Sequence, residues 1–345
     1  MKYEEKIESV ILAHIKEPVF PEVRVCEPKD GKTFIVVRVA ESHLTPHRVA
    51  NNTKIYVRTG QSSTPNAEAT WDKIEWLASR RKKSEELREL ILYEGEQYFR
   101  DACNIRGINP EDKNHYFATL SIRSIPLFPQ EPLITYRDLD EIVKNISVHD
   151  RHHGSFPNDL YDPDAIQNGI RKLRIMTANE KEPAHGKEFI YTHLNTFGLY
   201  LYKRDIGAID EPSSDSADGS EDKNRIIRTY FYRLSSVMHQ FMASAILFYQ
   251  KIGYWGSIHV KVELINALGV RLQHPLNHDV FLGLDRDLFV PSDHLIWEKT
   301  ASCATLRERM RDFVVEMIDN MAWSLGIRYF TEERIRKYLE DNYGK

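Results

Sequence analysis

Cysteine is scarce in this chain: there are three in 345 residues, Cys26, Cys103 and Cys303. They lie far apart and form no Cys-x-x-Cys pair, which argues against a zinc ribbon, a redox dithiol or a disulfide framework. Reduced thiols in a cytoplasmic protein are the expectation. Long apolar runs are also missing. No stretch approaches the roughly 18 residues that a bilayer span requires, and the opening Met1-Lys2-Tyr3-Glu4-Glu5 is too acidic for a secretion signal. No membrane partner is expected. Nor is there an excess of positive charge. The formal net charge of −4 excludes a uniformly basic nucleic-acid coat and leaves room only for a local patch.

Motifs that carry chemistry are lacking too. Without a Gly-x-x-x-x-Gly-Lys-Ser/Thr or Gly-x-Gly-x-x-Gly loop, nucleotide binding has no phosphate cradle, and no cofactor is assigned. There is no Gly-x-Ser-x-Gly elbow and no His-Glu-x-x-His helix. General acid–base work needs paired carboxylates held in a cleft, whereas the acids here gather on helix faces and in one acidic stretch. No catalytic residue is assigned, and whether the chain is an enzyme stays open. The run His149-Asp150-Arg151-His152-His153 invites a metal, as does the weaker set His274, His278 and Asp279. Both lack cysteine and a fixed ligand spacing, so surface histidines are the expectation and no metal site is assigned.

What is present starts with residues 33–83. A β-branched run, Phe34-Ile35-Val36-Val37, hardly alternates and predicts a strand buried on both faces, 34–40. The turn chemistry of Pro28-Lys29-Asp30-Gly31 predicts that it pairs as a hairpin with the alternating Val23 and Val25. Lys54-Ile55-Tyr56-Val57-Arg58 alternates and predicts a second strand with Ile55 and Val57 inward. Thr64-Pro65 has the chemistry of a helix start, and Trp71, Ile74, Leu77 and Ala78 are its expected buried stripe. That helix is expected to close at Arg80-Arg81-Lys82-Lys83, after which helical spacing resumes until residues 104–110 break it.

Between Ser42 and Asn66 no acid occurs, while Arg48, Lys54 and Arg58 stand with His43 and His47. Arg and Lys on short turns suit phosphate, and Ser42, Ser62 and Ser63 add neutral donors. The competing explanation is an Arg58 paired within its sheet and an ordinary solvated loop. For Arg80–Lys83 the alternative is stronger, because cations at a helix C-terminus are explained by the dipole alone.

Beyond residue 110 the pattern is mixed. Residues 116–125 predict a strand, Leu139, Ile142, Val143 and Ile146 a short helix, and 147–164 an irregular polar segment. Phe189-Ile190-Tyr191 and Leu199-Tyr200-Leu201-Tyr202 predict a hairpin about Thr196-Phe197-Gly198. Residues 211–224 hold no large apolar side chain and predict a disordered acidic loop. Long amphipathic helices are predicted over 226–252 and 306–325, with a strand of strict alternation at Ile258, Val260, Val262 and Leu264 between them. A charged helix over 331–343 ends the chain. The fold class is α+β.

The ordered set Ser42, Pro46-His47, Tyr56-x-Arg58-x-Gly60, Ala67 and a helix carrying Arg80-Arg81 resembles the C-terminal half of the Schlafen-type AlbA-like domain. Phe128-Pro129, Gly253-Tyr254-x-Gly256 and Trp323-Ser324-Leu325-Gly326 resemble the region that comes after that domain in bacterial members. The resemblance implies residues 1–104 as a partial AlbA-like α/β module and 111–345 as a mixed α+β accessory domain. It implies nucleic-acid binding, DNA or RNA, through phosphate contacts from Ser42, His47, Arg48, Lys54, Arg58, Ser62, Ser63, Arg80 and Arg81. A transcriptional regulator or defence-associated protein is the expected role. An ATP-binding role, also attached to this family, finds no phosphate loop here. The family's usual Glu-Phe-Lys strand, Gly-Gly turn and catalytic carboxylates are not found. The expectation is therefore a half-domain completed by a second copy or a partner chain. A nuclease assembled with that partner, and a non-catalytic scaffold subunit, remain alternatives.

Overall fold

The computed structural model describes residues 3–16, 19, 21–26, 33–39, 46–51, 54–57, 67–109, 118–150, 154–157, 169–176, 188–206, 208–209, 227–273, 288–327 and 331–343. The chain divides into two compact units. The first is Met1–Leu90 with Pro126–Glu131 and Trp255–Ser257, and the second is Ile91–Ile125, Pro132–Tyr254 and Ile258–Lys345. Among the described residues no helix is long and apolar enough to cross a membrane. The acidic stretch 211–224 lies outside the described residues.

In the first unit a helix, α1 (Tyr3–His14), packs against a strand, β1 (Pro21–Val25). β1 pairs antiparallel with β2 (Ile35–Val39), Val23 opposite Val37, as the turn between them predicted. The burial expected of β2 is not found. Val23 on β1 is buried, but Ile35, Val36, Val37 and Val39 are 43 to 52% exposed. The reason is the size of the ladder: these are two strands alone, α1 covers β1, and an apolar strand is buried on both faces only when layers stack on both sides of it.

The long helix α2 (Trp71–Ile105) departs from expectation at both ends of its first half. It begins at Trp71 because Ala67–Glu68 is drawn into an antiparallel pair with Tyr56–Val57. Trp71, expected in the buried stripe, is 71% exposed at the first helical position. Arg80–Lys83 does not close the helix. No glycine or proline comes after it before Gly95, and the i,i+4 pairs Arg81–Glu85 (3.0 Å) and Lys82–Glu86 (3.8 Å) carry the pattern onward. Termination comes at Gly107, whose φ of 65° suits the residue past a helix end. There the amide of Ile108 donates to the Cys103 carbonyl.

The second unit is built on a six-stranded sheet. Its strands are β3 (Thr119–Pro126), β4 (Gly169–Met176), β5 (Glu188–Asn195), β6 (Tyr200–Asp205), β7 (Ser257–Ile265) and β8 (His294–Ser302), in the order β4-β5-β6-β3-β7-β8. The predicted hairpin is β5–β6, held at its turn by the Asn195 side-chain oxygen, which accepts from the amides of Phe197 and Leu199. Registers and the two-residue period sort the side chains. Leu201 is opposite both His193 and Arg123, and Lys203 opposite Tyr191 and Ser121, so these share one face. Tyr200, Tyr202, Ile122 and Ser124 share the other.

That second face is apolar. Helices α3 (Tyr136–Val143), α4 (Phe231–Lys251), α5 (Cys303–Ser324) and α6 (Glu332–Tyr343) belong to the same unit, as does a four-stranded sheet of Ala208–Ile209, Ile227–Tyr230, Arg271–Gln273 and Leu288–Phe289. The α4 side chains Phe241 and Phe248 pack on the Tyr200 ring, and the Tyr249 hydroxyl donates to Ser124. The stripe predicted for α4 is buried from Phe231 onward, and that of α5 is buried except for the half-buried Met310; Ile227–Tyr230, expected in the first of these helices, forms a strand instead. Leu139 and Val143 of α3 are buried behind a Thr135–Asp138 capping box. Part of the segment expected to be irregular is ordered: Val148–Asp150 pairs with Gly154–Phe156.

The first face meets the C-terminal part of α2. Phe99 packs against Phe189 and Tyr191, and the Lys203 amine donates to Glu96. A Cβ on Gly95 would come within 2.9 Å of the Leu199 side chain, so glycine there permits the close approach of helix and sheet.

Candidate functional site

The sequence placed its candidates on the turns between Ser42 and Asn66 and on the helix after them. Ser42, Arg58, Ser62 and Ser63 lie outside the described residues. His47 is half-buried, and Arg48 is exposed on a two-residue strand, Arg48–Val49, that pairs with Ile15–Lys16. Lys54 is engaged. Its amine donates to Glu68 at 2.9 Å, and that hydrogen bond, with the carboxylate charge, raises its pKa above the ordinary lysine value. Exposed ion pairs of this kind contribute little stability, but the Glu68 carboxylate competes with any phosphate for the amine.

Arg80 and Arg81 are placed differently from what the sequence suggested. The dipole explanation for this cluster depended on a helix end. In the structure Arg80–Lys83 sits inside the first half of a 35-residue helix, away from either end, and the dipole acts only within the first and last turns. Arg81 and Lys82 carry i,i+4 pairs with Glu85 and Glu86, and Arg80 and Lys83 turn to another face of the helix. Between Trp76 and Ser84 the helix carries no acid.

The helix geometry gathers a second set that the sequence did not single out. At 100° per residue, Lys73, Trp76, Arg80 and Lys83 fall on one face. The Lys73 amine lies 4.1 Å and the Arg80 guanidinium 4.9 Å from the centre of the Trp76 ring, which is 47% exposed. Arg80 also donates to Gln130, which fixes the guanidinium beside the indole. Each cation–ring contact is worth about 0.5–1 kcal/mol at an exposed site. The arrangement is a half-exposed indole with two cations over its ring, all on one helix. Its sequence signal is the i,i+3,i+7,i+10 spacing. That signal is masked in the sequence because Trp71, not Trp76, heads the expected buried stripe and draws attention to the opposite face.

The second unit contains charges that the sequence alone does not bring together. On the α2 side of the sheet Lys203 bonds Glu96, Arg123 lies 3.8 Å from both Glu96 and Glu263, and Glu263 takes the amine of Lys261 at 2.9 Å and the His294 ring at 3.1 Å. Burial by itself would push the Glu263 carboxyl up. The hydrogen bond from Lys261, the Arg123 charge and the remaining partners outweigh it and hold the carboxyl below the ordinary range. With each carboxylate shared between cations, this network is suited to ordering strands β6, β3 and β7, not to proton transfer. His193 differs. It is 1% exposed, its ring stacks between Tyr98 and Tyr191, and its Nδ1 has no hydrogen-bond partner.

Of the histidine run, His149 is exposed and Asp150 lies on the short pair noted above, while 151–153 lie outside the described residues. Among the described residues no three His, Cys, Asp or Glu side chains converge as a metal site. No family model matches the chain, and no curated protein or solved structure matches it significantly.

Proposed function

We propose that the chain binds single-stranded nucleic acid along the exposed face of the first half of α2. Trp76, with Lys73 and Arg80 over its ring, carries this reading. A stacking platform beside cations is the chemistry that single strands require: bases stack on the ring, and phosphates pair with the neighbouring charges. Lys83 lies on the same face, and Arg48 and Lys54 provide further basic groups within the unit. The resemblance to Schlafen-type AlbA-like domains points in the same direction. A role in regulation or defence rests on that resemblance alone. Duplex readout is not favoured, because a helix entering a groove reads bases with polar side chains along its length, and here the exposed face centres on one indole.

The test is fluorescence anisotropy with labelled oligo-dT, oligo-rU and a mixed-sequence duplex across a salt series. The single strands are expected to bind best, with affinity falling as salt rises. Trp76→Ala should weaken binding by about 1–3 kcal/mol, roughly 5- to 150-fold. Arg80→Ala with Lys83→Ala should lower the salt slope by about 0.7 for each phosphate no longer neutralised. Absence of binding at low salt, or a Trp76→Ala protein that binds like the parent, would sink the proposal.

A further inference from the structure

Within the second unit a cleft of about 750 Å³ opens beside β5, α2 and the start of α3. Its size falls in the range of small-molecule sites, roughly 300–1,000 Å³. The wall is aromatic and apolar where Tyr98, Tyr136, Phe197 and Pro132 line it, and acidic where Glu94 and Asp138 do. Among the described residues no lysine or arginine lines it. His193 lines it as well, although the residue is 1% exposed and its Nδ1 is without a partner. Burial, with the Arg171 charge adding to it, lowers the pKa of this imidazole to about 3, so it is neutral at physiological pH.

These features select by charge. The two carboxylates differ in availability. Asp138 accepts from the Thr135 hydroxyl at 2.8 Å and belongs to the α3 cap, whereas Glu94 makes no hydrogen bond or ion pair among the described residues. A phosphate or carboxylate ligand would meet two negative charges with no lining cation to offset them. A neutral ligand leaves Glu94 without a counter-ion. A protonated amine answers both problems. It pairs with Glu94, offers an N–H to a neutral imidazole that lacks a partner, and rests its carbon frame against Tyr136 and Phe197, whose ring faces attract cations. The Tyr98 ring is already engaged by His193 and by the Arg171 guanidinium at 3.8 Å.

We infer that this cleft is a binding site for a small aromatic amine, with Glu94 as its counter-ion and His193 as a hydrogen-bond partner. The site lies outside the α2 face assigned to nucleic acid and stands or falls independently of it. The experiment titrates the full chain with three probes of one shape: benzylamine, benzyl alcohol and benzoate. Affinity is read by calorimetry and location by the imidazole proton signal of His193, identified by its loss in His193→Gln. Benzylamine should shift that signal saturably and bind at least about tenfold more tightly than benzyl alcohol, with benzoate weakest. Glu94→Gln, an exposed substitution that leaves the fold intact, should remove most of the advantage of the amine and leave benzyl alcohol unchanged. Equal binding of amine and alcohol, no saturable shift with any probe, or a Glu94→Gln protein that keeps its preference would each overturn the assignment.

Discussion

Lys203 donates to Glu96 across 2.6 Å, from a strand to the helix above it, with the lysine side chain only 4% exposed. The same amine lies 4.5 Å from the centre of the Phe99 ring. One turn of α2 therefore presents both a carboxylate and an aromatic face to one strand charge.

That relationship predicts an asymmetry. Glu96→Ala leaves a buried ammonium without its counter-ion and should cost about 3 kcal/mol, near the low end for broken buried pairs because Glu96 is partly solvated. Replacing both partners, Glu96→Leu with Lys203→Met, should cost clearly less than Glu96→Ala alone. Urea denaturation of the three variants checks this. If the double variant is the least stable, the pair contributes net stability and the asymmetry is wrong.

His193 gives the pH dependence a sign. An unfolded histidine titrates near 6.5, while the folded one is held down to about 3. Between those values the unfolded chain binds the extra proton and the folded chain does not. Stability from this group is therefore full above about pH 6.5 and falls as the pH drops, by up to about 1.4 kcal/mol per unit. The lowered Glu263 carboxyl acts in the same direction but only below about pH 4.3, the ordinary carboxyl value. Urea midpoints between about pH 7.5 and pH 5 isolate the histidine. The slope should be shallower in His193→Gln, and parallel slopes would count against a buried neutral imidazole.

The thiols should divide one to two. Cys26 is exposed, whereas Cys103 and Cys303 are buried. Burial pushes the Cys103 thiol up to about 11 despite the opposing charge of Lys203, and Cys303 up to about 12 despite Arg307. Thiolate is the reactive species, so a disulfide reagent at neutral pH should modify one cysteine rapidly in the folded chain and three after denaturation. Two or three rapid equivalents in the native protein would show that the second unit opens readily.

Parts of the fold were legible because their side chains state where the core is. Ile258, Val260, Val262 and Leu264 alternate with Lys261 and Glu263, and all four are buried on β7. The same holds for the stripe of α4 and for the β5–β6 hairpin. Where local pattern and tertiary context disagreed, context prevailed. Ile35–Val39 has the composition of a central strand, yet nothing in a two-stranded ladder can cover both its faces. Arg80–Lys83 looks like a helix end, yet a helix ends only where the next residues cannot continue it. Here Glu85, Glu86, Leu87 and Arg88 are all good helix formers.

The candidate sites divide along the same line. The sequence by itself determined an α+β chain, its two long apolar helices and the basic run after Trp76, because hydrophobic period and charge are local properties. Only the tertiary structure decided that Lys73 and Arg80 lie over the half-exposed Trp76 ring, that Lys203 meets Glu96, and that His193 is buried beside Glu94 in one cleft. The residues of the last two pairs lie about a hundred positions apart. Their meeting depends on strand register and on the helix crossing a particular sheet face, which no single segment encodes.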